Sequence, residues 1–218
     1  MSVPRHRSHL ALTVWPITAL FAFELAHLWP ALQGASVFAA ASPVSWLSQA
    51  ACTAVVIAFL LAYVRGWATL RREAPEGPGP YRSEGCRRLQ WWAGALAWSL
   101  VLGHLGLEWF MFISVGPVSL SHYELLRGIL STPIALGLYV VGLGALGVYL
   151  SQGIAASVRA WGFAERAESS RWLEVGCTLL SAVMLLMAIN VLSHFTTGRA
   201  YWMSSPPPTS GADGSPPK

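Results

Sequence analysis

Two histidines and two glutamates set inside oily stretches carry most of the chemistry open to this sequence. A charge at the centre of a membrane span costs roughly 2.5–3.5 kcal/mol on insertion scales, so each ionisable group there is a functional candidate. The first long apolar run holds Glu24 and His27, the third holds His104 and Glu108, and the fifth holds Glu174 near its start and His194 near its end. His27 lies 17 residues beyond Leu10, and His104 lies 16 beyond Arg88. At about 1.5 Å per helical residue, both stand roughly 25 Å from one membrane face. Two imidazoles from different helices at one level can clamp a haem b iron axially, each giving one ring nitrogen to the metal. The alternative is that they hydrogen-bond backbone or sit in the interface. Glu24, one turn before His27, and Glu108, one turn after His104, suit proton transfer or support of such ligands. Glu108 is also close enough to the outer surface to reach water. His122 and His194 lie on the same side, but no spacing among the histidines favours a zinc site.

The elements that must position these groups follow from composition. The chain is 54% hydrophobic and 11% charged, where soluble domains carry about 25% charged residues. A span needs about 20 mostly apolar residues. Five such stretches can be cut, at about 10–29, 46–64, 91–113, 133–158 and 172–195. The expectation is an all-α bundle of five transmembrane helices filling residues 1–203, followed by a Pro/Ser/Gly-rich tail, 204–218, predicted to be disordered.

Charge placement gives the orientation. With the amino terminus in the cytoplasm, Arg5, Arg7, Arg65, Arg71, Arg72, Arg82, Arg87, Arg88, Arg159, Arg166 and Arg171 all fall inside, eleven of the fourteen basic residues. Only Arg127, Arg199 and Lys218 remain outside, the asymmetry of the positive-inside rule. That placement explains the net charge of +4 better than nucleic-acid binding does. A cleaved signal peptide is the rival reading of the first run, but the run is longer than a signal core and contains Pro16, Glu24 and His27. Cys52, Cys86 and Cys177 are an odd number without a pairing motif and suggest neither disulfides nor zinc.

Local signals refine the spans. Segment 65–88, with Pro75, Gly77, Pro78, Gly79 and Pro80, reads as a loop and as the natural docking surface for a cytoplasmic partner. The third span begins at the interfacial pair Trp91-Trp92. The fourth opens with Thr132 as cap and Pro133 at the first helical position. It then carries Gly137, Gly142, Gly144, Gly147 and Gly153, which let another helix, or a flat cofactor, approach its backbone.

The stretch from Leu130 through Ser131-Thr132-Pro133 and Gly137-Leu138-Tyr139 to Gly142, then Gly153 and Ala160-Trp161-Gly162-Phe163, resembles the fourth helix of a known family. That family is the five-helix, di-haem cytochrome b subunit of bacterial succinate dehydrogenases and fumarate reductases. Arg88-Leu89-Gln90 leading into His104 resembles the start of its third helix, and His9, seven residues before Pro16, matches its first. The likeness is continuous from about Arg87 to Trp172 and patchy elsewhere.

The resemblance implies an inner-membrane anchor for a flavoprotein and an iron-sulfur subunit on the cytoplasmic face, passing electrons to or from membrane quinone through bis-histidine haems. Carried over by position, His104 matches the third-helix ligand. Alignment on Pro16 puts Glu24 at the first-helix ligand position, and His27 takes it only after a shift of one turn. The second-helix and fourth-helix ligands, which hold the haem nearer the iron-sulfur subunit, fall on Ala62 and Tyr149. Tyr149 is expected to fill space left by that porphyrin. What remains is one outer haem b held by His27 and His104, or none.

Two functions therefore stand. One is a cytochrome b anchor of a succinate:quinone oxidoreductase-like complex with fewer than two haems; the other is a non-redox membrane scaffold that keeps the fold without the cofactors. A small transporter is a weaker third, since paired broken helices are not evident. No flavin or nucleotide motif is present, so a dehydrogenase active site would belong to a partner chain.

Overall fold

The computed structural model describes residues 5–41, 50, 53–58, 60–61, 64, 83–115, 120–162 and 167–202, and among these every regular element is helical. The elements are α1 (Arg5–Leu28), a 3₁₀ turn (Trp29–Gln33), α2 (Ala35–Ala41), α3 (Glu84–Val115), α4 (Leu120–Leu130), α5 (Pro133–Ala160) and α6 (Ala167–Thr197). Residues 53–58 are helical as well. Much of the expected second span, with Cys52 and Ala62, the loop 65–82 and the tail 204–218 lie outside the described residues.

Three of these helices are long and apolar enough to cross a membrane, over Glu84–Ser114, Pro133–Ala160 and Ser170–Thr197. Their outward faces carry Ile113, Ile134, Leu138 and Leu179, each more than half exposed. Hydrocarbon, not water, is the solvent such faces suit, which marks the chain as a membrane protein.

Helix boundaries depart from the expected ones where side chains satisfy the ends. α3 starts at Glu84 rather than at Trp91. Ser83 Oγ accepts from the Cys86 amide at 3.2 Å, and Glu84 pairs with Arg87 at 2.7 Å and Arg88 at 3.4 Å one turn on. These arginines therefore sit on a helix, not in the loop that proline and glycine signals suggested nearby. α5 begins as its sequence indicates. Thr132 Oγ1 accepts from the Ala135 amide, and Pro133 takes the first position, where its missing N–H costs nothing.

α5 is the hub, packing on α1, α3 and α6. Its glycines face different neighbours. Leu100 of α3 lies against Gly142, and Leu185 and Ser181 of α6 lie against Gly147, where Ser181 Oγ donates to the Gly147 carbonyl at 2.6 Å. A Cβ added at Gly153 would stand 2.6 Å from Gln90 Nε2 and 2.7 Å from Val14 Cγ2. So Gly142, Gly147 and Gly153 serve helix packing, whereas Gly137 and Gly144 have open space beside them. At the arginine-bearing end, Arg159 of α5 reaches Glu174 of α6 at 2.7 Å, and Trp15 stacks on Trp161 while donating to Ser157 Oγ at 3.1 Å.

Replacing Gly153 with leucine is expected to destabilise the bundle by about 1–3 kcal/mol, the usual cost of overpacking. Gly144→Ala should stay within about 0.5 kcal/mol of the parent. Unfolding in mixed micelles, followed by tryptophan fluorescence, checks the contrast; equal effects at the two sites would contradict this packing.

Candidate functional site

α1 and α3 bring the ionisable groups of the first and third apolar runs together, and α5 adds one that spacing did not single out. The His104 ring is the centre. Its Nε2 lies 3.6 Å from Glu24 Oε2 and 3.9 Å from Glu108 Oε1, while its Nδ1 shares a 2.7 Å hydrogen bond with the Tyr139 hydroxyl. Glu108 reaches His104 because four residues on one helix complete about a turn. Glu24 and Tyr139 reach it because their helices cross α3 at the same depth.

These groups line a cavity of about 240 Å³ in the middle of the bundle. His27 lines it too. The remaining wall is apolar, with Phe21, Leu100, Val101, Leu143, Leu146 and Val191 among its members. His27 stacks on Phe23 (6.4 Å between centroids, 8° between planes) and meets Phe38 edge-on at 6.1 Å.

Beyond the cavity an aromatic cap closes this end. Phe38 of α2 and Phe195 of α6 are both fully buried, 6.4 Å apart, with Tyr123 of α4 at 6.0 Å from the first and 5.2 Å from the second. His194 belongs to this cap, its Nε2 sharing a 3.0 Å hydrogen bond with the Tyr123 hydroxyl. Burial pushes the Tyr123 phenol above its ordinary range, which keeps it a neutral partner. The chain beyond α6 is clasped by Asn190, fully buried in α6. Its Oδ1 accepts from the amides of Tyr201 at 2.6 Å and Trp202 at 3.3 Å, and its Nδ2 donates to the Trp202 carbonyl at 3.2 Å.

The residues singled out from sequence thus divide. Glu24, His27, His104 and Glu108 converge on one cavity. His194 joins the cap, and Glu174 is spent on Arg159 at the other end. The His122 side chain and Ala62 lie outside the described residues. Tyr149 is buried in the core, 2% exposed, and Gln90 donates to its carbonyl at 2.9 Å. Spacing missed Tyr139 and Asn190. A hydroxyl and an amide in otherwise apolar spans were the available signals, since buried polar groups need partners.

A bis-histidine porphyrin can be tested against this lining. In its favour, two imidazoles share the cavity, and a ligand imidazole usually has its second nitrogen tied to a fixed acceptor, as Nδ1 of His104 is to Tyr139. Three features oppose it. Glu24 and Glu108 crowd the Nε2 that would have to bind iron. The cavity is smaller than the roughly 300–1,000 Å³ of ordinary ligand pockets, and haem is a large ligand. The porphyrin's two propionates would enter a lining that holds two carboxylates and, among its described residues, no lysine or arginine. The site does not fit the group. Among the described residues, no set of three or more His, Cys, Asp or Glu side chains is arranged to hold a metal ion either.

No family model, curated protein or solved structure matches this chain.

Tyr139→Phe should cost about 0.5–1.5 kcal/mol, the net worth of one hydrogen bond, in the same micelle unfolding assay. Asn190→Ala should speed amide exchange at Tyr201 and Trp202 while leaving the middle of α5 protected. Unchanged exchange at those two amides would contradict the clasp.

Proposed function

We propose that this protein is the membrane anchor of a succinate:quinone oxidoreductase-like complex in a bacterial cytoplasmic membrane, built as five spans with the amino terminus inside. One observation carries the reading: the two stretches that resemble the family's third and fourth helices are packed directly on each other. Leu100 fills the space over Gly142, Gln90 that over Gly153, and His104 meets Tyr139. Gln90, His104, Tyr139, Gly142 and Gly153, which belong to the resemblance, all lie in that contact. The arginine asymmetry supports the orientation, and on this reading the docking surface is the cytoplasmic segment 65–88.

In this role the partners carry the flavin and iron-sulfur chemistry, and the helices supply position, lipid anchoring and a quinone-accessible surface. A haem held by His27 and His104 is what the resemblance implies; the crowding at His104 speaks against it, and no electron step is routed through such a group. The same crowding favours the second reading, a scaffold that keeps the bundle without redox work.

Affinity purification of the tagged chain from its native membrane separates the two. The anchor reading predicts a flavoprotein and an iron-sulfur protein in equal amount with it, and succinate-dependent quinone reduction by the complex. A preparation with neither flavin nor iron would contradict it. For the orientation, in a background with Cys52, Cys86 and Cys177 replaced by serine, Ser2→Cys should react with impermeant maleimide only after the membrane is opened, and Ser204→Cys without opening. The reverse pattern would overturn the assigned sidedness.

A further inference from the structure

We infer that the central cavity is a haem-free site in which Glu24 takes the place on His104 that an iron would occupy, leaving a carboxylate–imidazole–carboxylate cluster as the polar fastener between α1 and α3. The inference rests on the anchor reading only for the expectation of haem; the geometry that opposes haem stands by itself.

The argument begins with which atom faces which. An axial imidazole must present one nitrogen to the metal, and with Nδ1 committed to Tyr139 that nitrogen is Nε2. Glu24 Oε2 stands 3.6 Å from it and Glu108 Oε1 3.9 Å from it, on separate helices. The first-helix position that alignment on Pro16 assigns to a ligand is Glu24, and the structure puts that same residue, one turn before His27, on His104. His27 meanwhile rests on the rings of Phe23 and Phe38.

Electrostatics point the same way. In hydrocarbon an isolated carboxylate is costly, and it is tolerated when a neighbouring group shares or neutralises its charge. A protonated imidazole between two carboxylates offsets one of the two negative charges, and its Nε2 faces both oxygens. A haem would separate that imidazole from Glu24 and bring two further carboxylates into the same lining. The groups facing the cluster are Glu24 and His27 from α1, Glu108 from α3 itself and Tyr139 from α5, while α4 and α6 contribute apolar side chains to the cavity. That described set holds no lysine or arginine to receive the propionates.

The test uses the full-length protein, purified with its co-purifying partners from cells fed a haem precursor. We expect no b-type band in the reduced-minus-oxidised spectrum. A band that disappears in His104→Ala, whether or not it also disappears in His27→Ala, would overturn the inference, whereas a band that survives His104→Ala is haem held elsewhere and agrees with it. As a second readout, Glu24→Gln and His104→Gln should each lower the unfolding midpoint in micelles, and the double variant should fall no further than the worse single one. Additive losses would show that the two side chains do not act as a pair, and would overturn the inference. Haem in the pocket leaves the anchor reading intact, while missing flavoprotein partners defeat that reading and leave this one.

Discussion

Carboxylates buried among apolar side chains need partners, and the centre of this bundle is arranged around that constraint. Glu24 and Glu108 come from separate helices, yet both lie within 4 Å of one ring nitrogen of His104. The other nitrogen is held by a hydroxyl from a third helix. Three helices are thereby brought to one depth by polar contacts, where apolar packing alone would permit sliding. Within a bilayer such contacts are among the few that fix register, because lipid tails compete on equal terms for apolar side chains.

The rest of the fold serves this meeting point. α5 can stand at the centre because its glycines face α1, α3 and α6 in turn and allow close approach on each side. The end nearest His104 is sealed by rings from α2, α4 and α6, and the chain beyond α6 is folded back by the buried Asn190 amide. At the opposite end an ion pair, Arg159 with Glu174, joins α5 to α6. The described bundle thus has a polar centre under an aromatic cap and an arginine-bearing end where Arg159 meets Glu174.

Legibility in the sequence followed the strength of the physical signal. Long apolar runs announced α3, α5 and α6, and Thr132-Pro133 announced the start of α5 to the residue. The convergence of Glu24, His27, His104 and Glu108 was readable because helical rise is constant, so counting residues gives depth. Rotation about the helix axis was not readable in the same way. Spacing put the two histidines at one level, but which of Glu24 and His27 would face His104 depends on how α1 is turned, and packing decides that. The early start of α3 was hidden because Glu84, Arg87 and Arg88 read as loop charges until paired one turn apart. α2 and the 3₁₀ turn lay in a segment whose short, uncharged sequence carried no periodicity long enough to notice.

The account turns on the direct approach of Glu24 to His104, and a distance measurement tests it most plainly. Dipolar recoupling by solid-state NMR, in liposomes, between ¹⁵N-labelled His104 and the ¹³C-labelled side-chain carboxyl of Glu24 should show a weak but measurable coupling, as expected when Nε2 and Oε2 are separated by 3.6 Å. No measurable coupling between those two side chains would mean that α1 presents a different face, and the polar centre described above would not exist.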